Sequence, residues 1–183
     1  MKLHVGCGQR DFGSEWDHLD GGIYPHVRYQ IRDLDWLPFK DDTYELIYAS
    51  HVIEYFDKDE VEKILKEWMR VLKPGGVLRL AVPDFQAMVK LYYEQGTPLE
   101  RLIGPLYGKM AMGEKTIYHK TVYDFRTLHN LLIRVGFKEP KYWNWADTEH
   151  SQFDDHSQAY LPHMDKENGT LISLNLQCNK AWT

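Results

Sequence analysis

Three positions near the N-terminus combine residue types that suit a nucleoside ligand. Gly6-Cys7-Gly8 directly follows an apolar run at residues 3–5, and two acidic residues come later, Asp20 and Asp33. A buried strand that runs into a glycine-rich turn lets a ligand lie against bare backbone. An acidic side chain at the next strand end can accept hydrogen bonds from two ribose hydroxyls, and a third strand end can hold the base. The spacing therefore predicts a nucleoside pocket.

Histidines supply candidates for proton transfer, because histidine titrates near neutral pH. His119 lies just before a predicted helix at the ligand edge of the sheet, and we rank it first as a general base. His51, after a predicted strand, ranks second; Asp84 and His156 are weaker candidates. Each histidine could instead be structural or solvent-facing.

Composition limits the class of protein. The chain of 183 residues, 43% of them hydrophobic, suits a single domain, and no stretch approaches the ~20 apolar residues of a membrane span. The net charge of -5 argues against a nucleic-acid partner. The chain enters a strand at once, which predicts no signal peptide, and its two cysteines form no Cys-x-x-Cys pair. We expect a cytoplasmic protein without a membrane or nucleic-acid partner.

Hydrophobic patterning predicts strands that alternate with helices. Strands are expected at 3–5, 16–19, 27–31, 44–49, 77–82, 141–145 and 171–178. One helix begins after Asp57 and ends at Lys73-Pro74-Gly75-Gly76, and a second covers residues 123–135. This alternation predicts a mostly parallel α/β sheet whose ligand crevice lies at the carboxyl ends of the strands. The last two strands lack a helix between them and should form an antiparallel hairpin.

Two long segments, 83–120 and 146–169, are predicted to be irregular and to overhang that crevice. Loops longer than ~12–15 residues are uncommon unless they act as lids or binding loops. We expect both to bind substrate within one domain that covers residues 1–183. Their candidate substrate-binding residues are Tyr118, Tyr123, His156 and Tyr160. Aromatic residues there could instead be core packing.

The histidines and aspartates of the second segment invite a metal hypothesis. Their spacing matches neither a helical pair nor a known ligand motif, so no metal is expected. The residues concerned are His150, Asp154, Asp155, His156 and His163.

The ordered motifs resemble the class I S-adenosylmethionine-dependent methyltransferases, of the type 11 kind. The resemblance covers about residues 2–85 and implies a Rossmann-like, seven-stranded, mostly parallel sheet of order 3-2-1-4-5-7-6 with the last strand antiparallel. The matching motifs are Val5-Gly6-Cys7-Gly8, Asp20, Asp33-x-x-x-Leu37-Pro38-Phe39, the run 44–54, and Arg70-Val71-Leu72-Lys73-Pro74-Gly75-Gly76.

The resemblance also implies a cofactor, S-adenosylmethionine, with S-adenosylhomocysteine as its product. The glycine turn would approach the methionine part, Asp20 the ribose, and Asp33 and Leu34 the adenine, while Ser50 and His51 would lie near the sulfonium. The implied cofactor-binding residues are Val5, Gly6, Cys7, Gly8, Asp20, Asp33, Leu34, Ser50 and His51.

The chain departs from the family pattern in two places. Arg10 and then Gly13 follow the turn where another glycine is usual, and only 11 residues separate Gly8 from Asp20. This predicts a shortened first helix and resembles a short subgroup found with bacterial surface-polysaccharide gene clusters. Glu54-Tyr55 also replaces a commoner Glu-His, which leaves the role of a histidine there open.

The predicted function is methyl transfer to a small-molecule acceptor by a monomer or weak homodimer. The acceptor is expected to be a saccharide intermediate or another hydroxyl or amine metabolite. The alternative from another class is a non-catalytic, nucleoside-binding regulatory module. A nicotinamide dehydrogenase is disfavoured, because Asp11 stands where its third glycine would be.

Overall fold

The computed structural model describes residues 1–182, so the last residue of the predicted domain lies outside the described part. The strands are β1 Lys2–Val5, β2 Trp16–Asp20, β3 Tyr29–Gln30, β4 Tyr44–Ser50, β5 Leu72–Pro83, β6 Met110–Met112, β7 Lys115–Ile117, β8 Lys138–Tyr142, β9 Tyr160–Leu161, β10 Thr170–Leu171 and β11 Ser173–Asn179. The α-helices are α1 Lys58–Val71, α2 Phe85–Gln95, α3 Leu99–Tyr107 and α4 Phe125–Val135.

A seven-stranded sheet in the order β3-β2-β1-β4-β5-β11-β8 forms the centre of the domain. The pairs from β3 to β5 are parallel, and β11 runs antiparallel to both β5 and β8. The predicted fold class and strand order are therefore confirmed. Two short hairpins, β6–β7 and β9–β10, lie outside this sheet.

Side-chain hydrogen bonds stabilise the N-termini of two helices that cover the sheet, α1 and α4. Asp57 and Glu60 form a capping box at the start of α1, and Asp124 and Thr127 form one at the start of α4. The apolar stripe of α1 is buried against the core at Val61, Ile64, Leu65, Trp68 and Val71. At the carboxyl end of the sheet, these helices leave the strand ends open for a ligand.

The first connection is too short for a crossover helix, and residues 6–15 contain only turns. The sheet face left uncovered carries a cluster in which Phe12 and Tyr48 pack with Trp143 and Phe153. The Trp143 indole N–H donates to the Leu80 carbonyl at 2.9 Å. Chain from the second predicted overhang thus covers the face that a first helix would cover.

Several predicted boundaries were wrong. The strand predicted at 141–145 is β8, at Lys138–Tyr142, because an exposed, polar edge strand carries no apolar signal. The strand predicted at 27–31 is reduced to β3, and the last strand begins at Ser173. The segment 83–120 is not irregular: α2, α3 and the β6–β7 hairpin occupy most of it.

The helices of that segment form because they bury apolar residues of their own. Met88 and Leu91 of α2 pack with Leu102 of α3 and with Ile172, in a cluster separate from the main core. Among residues 1–182, no helix combines the length and apolar character needed to cross a bilayer.

The buried histidines under the sheet predict a loss of stability in acid. Burial holds the pKa of His4 well below its usual value and lowers the pKa of His150 to about 4. Unfolded histidine titrates near ~6.5, so between about pH 6.5 and 4 only the unfolded chain gains these protons. We expect the free energy of unfolding, measured by urea denaturation, to fall as the pH is lowered from about 6.5 to 4.

A matched variant isolates one of these groups. His150 stacks on Phe12 with ring centroids 4.8 Å apart, so His150→Phe keeps a ring at that place. The variant should lose less stability on acidification than the parent protein. Equal losses in the two proteins would contradict the explanation.

Candidate functional site

A large cavity opens at the carboxyl ends of β1, β2 and β4, with a volume of about 1530 Å³. Its walls come from the turn after β1, the loop after β2, the residues after β4, the segment from α3 to residue 120, and residues 154–164. Distant parts of the chain therefore meet at the sheet edge predicted to hold the ligand.

The glycine turn at one end of the cavity has a backbone that favours glycine. Gly6 and Gly8 have φ of +66° and +55°. A Cβ on Gly6 would overlap the Val52 side chain, so the turn lies directly against the residues that follow β4. The Gly6 N–H donates to the Leu19 carbonyl at 2.8 Å, which fixes the turn to β2.

Asp20 lines the cavity beside this turn and is almost fully buried. Its Oδ2 accepts from the Gly8 N–H at 2.8 Å and its Oδ1 from the Gly22 N–H at 2.6 Å. Each carboxylate oxygen can accept more than one hydrogen bond. The side chain is thus held in place with acceptor capacity left for a hydroxyl group.

The other predicted cofactor-binding residues divide into two groups. Leu34, Ser50 and His51 line the cavity, and the buried Ser50 Oγ has no hydrogen-bond partner among residues 1–182. Val5 and Cys7 are buried outside the lining, and burial raises the pKa of the Cys7 thiol to about 12.

Asp33 is exposed and outside the cavity lining, although its neighbours Arg32 and Leu34 are part of it. The structure therefore does not bring this predicted adenine-binding carboxylate into the cavity.

Histidines from three parts of the chain gather in the wall of this cavity. His51 and His156 have ring centroids 5.1 Å apart, and His119 packs edge-on against Tyr55 at 4.6 Å. These three histidines and Tyr160 line the cavity. From sequence, His119 and His51 are candidate bases, and His156 and Tyr160 are candidate substrate-binding residues. Burial lowers the pKa of each of these histidines, which favours neutral imidazole.

Behind these histidines lies a carboxyl group that sequence reasoning missed as a site residue. Glu54 is fully buried, and neither carboxyl oxygen has a hydrogen-bond partner among residues 1–182. Its Oε1 lies 3.4 Å from His51 Nδ1 and 3.7 Å from His119 Nε2. A signal was present, since an acidic residue directly follows Val52-Ile53, but its burial depends on the segment near residue 119.

Three other predicted residues are not brought to the cavity. The Asp84 carboxylate caps α2 by accepting from the Ala87 N–H at 3.1 Å, which explains its position outside the lining. Tyr118 is about half exposed, and Tyr123 is buried in the core, where its ring supports the sheet rather than the cavity.

The suggested metal-ligating residues do not converge on one point, although most of them line the same cavity. His150 stacks in the aromatic cluster, and Asp155 accepts a hydrogen bond from the Tyr48 hydroxyl, while His156 and His163 line the cavity. Across residues 1–182, no group of three or more His, Cys, Asp or Glu side chains is arranged to hold a metal ion.

The sheet order and the glycine–carboxylate arrangement define a Rossmann-like, nucleoside-binding methyltransferase fold. Residues 10–80 match the type 11 family model described as a methyltransferase domain. The chain belongs to the class I S-adenosylmethionine-dependent methyltransferases, which confirms the predicted family and its cofactor. The link to surface-polysaccharide gene clusters stays a prediction.

Curated relatives include the ubiquinone/menaquinone biosynthesis C-methyltransferases UbiE of two bacteria. The Vibrio vulnificus protein is 32% identical over 134 residues, which cover 68% of this chain and 49% of that protein. The Shewanella frigidimarina protein is 31% identical over 137 residues, which cover 70% of this chain and 52% of that protein. The chain thus spans about half the length of these relatives.

Solved structures share the fold at low sequence identity. A methyltransferase from Methanosarcina mazei has a TM-score of 0.59 at 16% identity, covering 100% of this chain and 92% of that one. The 1,6-didemethyltoxoflavin-N1-methyltransferase of Burkholderia thailandensis, solved with its substrate and S-adenosylhomocysteine, has a TM-score of 0.57 at 12% identity, covering 98% and 70%.

The close approach at Gly6 yields a prediction with a matched control. Gly6→Ala places a methyl group into Val52 and into a strained backbone conformation, whereas Gly96→Ala, with φ of +63°, meets nothing within 4 Å. Both should lose stability from backbone strain, about 1–2 kcal/mol. We expect Gly6→Ala to lose more in urea denaturation and also to weaken binding of S-adenosylhomocysteine. Equal effects of the two substitutions would contradict the importance of the contact between Gly6 and Val52.

Proposed function

We propose that this protein transfers the methyl group of S-adenosylmethionine to a small-molecule acceptor bound in the same cavity. The single observation that carries the proposal is the shared cavity, whose wall contains both the glycine–Asp20 arrangement and the histidines. Its volume of about 1530 Å³ exceeds the ~300–1,000 Å³ of an ordinary single-ligand site. The space fits a cofactor and an acceptor side by side.

The residues present fit the cofactor. The positive-φ turn leaves the backbone bare, and Asp20 holds free acceptor capacity beside it. Ser50 lines the same cavity, and its Oγ has no hydrogen-bond partner among residues 1–182. When bound, the cofactor supplies an electrophilic methyl group on a sulfonium. The protein then has to align the acceptor and exclude water, and alignment alone contributes on the order of 7–11 kcal/mol.

The two segments expected to act as lids supply the acceptor side of the cavity in this proposal. A Cβ on Gly21 would lie 3.2 Å from the Met112 sulfur, so the β6–β7 hairpin reaches the loop after Asp20. The second segment contributes wall residues from Asp154 to Met164. Opening of the hairpin would admit ligands, and closing it would cover them.

The proposed acceptor is a hydroxyl or amine metabolite with an apolar part. Polar groups of the acceptor wall are the histidines and Tyr160, and its apolar residues are Pro105, Ile117, Leu161, Met164 and Ile172. A saccharide intermediate remains in this class when it carries an apolar portion. A ring methylated at carbon is a second candidate, favoured by the names of the UbiE relatives.

His119 is the proposed general base, with His51 as second candidate. In the observed conformation, His119 Nδ1 faces the Leu106 carbonyl at 3.2 Å and Nε2 faces Glu54. Both ring nitrogens therefore face protein groups, and the ring would have to turn before it accepts a proton from the acceptor. A base typically adds ~10²–10⁴-fold to the rate.

The first test is ligand selectivity. S-adenosylmethionine and S-adenosylhomocysteine should raise the thermal midpoint, whereas NAD and ATP should not. A ligand at about 100 times its Kd adds roughly 2.7 kcal/mol to the free energy of unfolding. Asp20→Ala should weaken binding in calorimetry by about 10- to 100-fold, through loss of charge-assisted hydrogen bonds. Substitution of the exposed Asp35 by alanine is the control. Retained affinity in Asp20→Ala would refute the proposed role of Asp20 in cofactor binding.

The second test is turnover across a panel of hydroxyl, amine and quinone-ring acceptors. Once an acceptor is found, His119→Ala should lower kcat by about 10²–10⁴-fold while cofactor affinity stays near that of the parent protein. Parent-like turnover would remove His119 from the mechanism. Cofactor binding without turnover on any acceptor would favour the regulatory-module alternative.

A further inference from the structure

The hydrogen bonds around His51 determine which of its nitrogens carries the proton. Asn175 Nδ2 donates to the Ser157 carbonyl at 2.9 Å, so Asn175 Oδ1 accepts from the Ser173 hydroxyl at 2.9 Å. The Ser173 oxygen can then only accept from His51 Nε2, at 3.3 Å. In the neutral ring, His51 Nδ1 is therefore the lone-pair nitrogen, and it faces Glu54.

The same reasoning holds for His119. Its Nδ1 lies 3.2 Å from the Leu106 carbonyl, which can only accept, so Nδ1 carries the hydrogen. Nε2 is then the lone-pair nitrogen, and it too faces Glu54 Oε1. Two neutral imidazoles thus present acceptors to one carboxyl group, an arrangement that suits a carboxylic acid with its proton and opposes a carboxylate.

The other described groups around Glu54 offer its carboxyl group no positive charge. Tyr55 and Tyr123 contribute phenol rings. Lys120 donates its backbone N–H to the Glu54 carbonyl, but its ammonium binds Asp57 and Glu60 instead. Burial, with no hydrogen-bond partner for the carboxyl oxygens among residues 1–182, raises the pKa of Glu54 to about 8, which favours the protonated form at pH 7.

Positive charge reaches this region from the cavity side. Arg10 is close enough to lower the pKa of both His51 and His156, and it lies beside the glycine turn. A bound sulfonium would add a second cation in the same region, since Gly6 lies against Val52 and His51 lines the wall. Both cations disfavour a proton on the cluster.

We propose that Glu54 is a proton-coupled counter-ion of the cofactor. Its carboxyl group loses a proton when the cationic S-adenosylmethionine binds and regains one when the neutral S-adenosylhomocysteine remains after methyl transfer. The inference rests on the proposed function. Its chemical balance is simple: transfer to a hydroxyl breaks an S–C and an O–H bond, forms an O–C bond and frees one proton. The ionised Glu54 can receive that proton, so one carboxyl group favours the charged cofactor before transfer and the neutral product after it.

The test counts protons and needs no acceptor. Calorimetric titrations near pH 7, in buffers of different ionisation enthalpy, give the protons released on binding. We expect close to one proton released with S-adenosylmethionine and close to none with S-adenosylhomocysteine, which carries the same amino and carboxyl groups. Equal release with the two ligands would overturn the inference.

A variant assigns the proton to Glu54. Glu54→Gln keeps the size of the side chain and removes its titration, so release with S-adenosylmethionine should drop to near zero. Affinity for S-adenosylmethionine should fall by about tenfold, the equivalent of one unit of pKa, while affinity for S-adenosylhomocysteine stays the same. Glu62→Gln, on the outer face of α1, is the control. Unchanged proton release in Glu54→Gln would refute the role of this residue.

A measurement on the parent protein covers the case in which Glu54→Gln does not fold. Difference infrared spectra should show loss of a protonated-carboxyl C=O band on addition of S-adenosylmethionine and no such loss with S-adenosylhomocysteine. Persistence of the band with both ligands contradicts the inference but leaves the proposed function intact. Failure of both ligands to bind contradicts the proposed function as well.

Discussion

The site depends on one carboxylate that ties two backbone turns together. Asp20 accepts from the N–H groups of Gly8 and Gly22 and so sets the loop after β1 against the loop after β2. Backbone N–H groups need partners when buried, and here one side chain supplies them for two loops. The bare glycine backbone beside it could not hold a ligand if these turns were free to move.

The short first connection has consequences far along the chain. Since residues 6–15 form no helix, one face of the sheet needs another cover. The chain after β8 provides it through Trp143 and Phe153, and the Tyr48 hydroxyl donates to Asp155. Directly after Asp155, the same segment turns into the cavity wall with His156. The same stretch of chain therefore covers one face of the sheet and also forms part of the cavity wall.

The surroundings of Glu54 differ in kind from those of Asp20. Both Asp20 oxygens accept backbone hydrogen bonds, whereas Glu54 lies buried between His51 and His119 with no hydrogen-bond partner for its carboxyl oxygens among the described residues. Buried polar groups without partners are costly, so such an arrangement points to a functional role. His51 also has a φ of +55°, which is uncommon outside glycine and typical of strain at functional sites.

Local patterns in the sequence were enough to predict one part of the protein. Apolar runs located β1, β4 and β5, helical spacing located α1, and breakers ended it, because neighbouring residues alone decide burial and chain direction there. The ordered motifs indicated the family and strand order, and the Gly6–Gly8 turn with Asp20 indicated part of the cavity wall.

The remaining features depend on contacts between distant segments. The polar edge strand β8 and the exposed position of Asp33 have no clear local signature, whereas α2 begins at the capping Asp84 and ends at Gly96, local signals that the prediction of an irregular segment missed. Glu54 is the strongest case: nothing near it in sequence shows that His119, 65 positions later, closes over it. Burial is a property of the packed chain, and so the chemistry that follows from burial could not be derived from the order of residues alone.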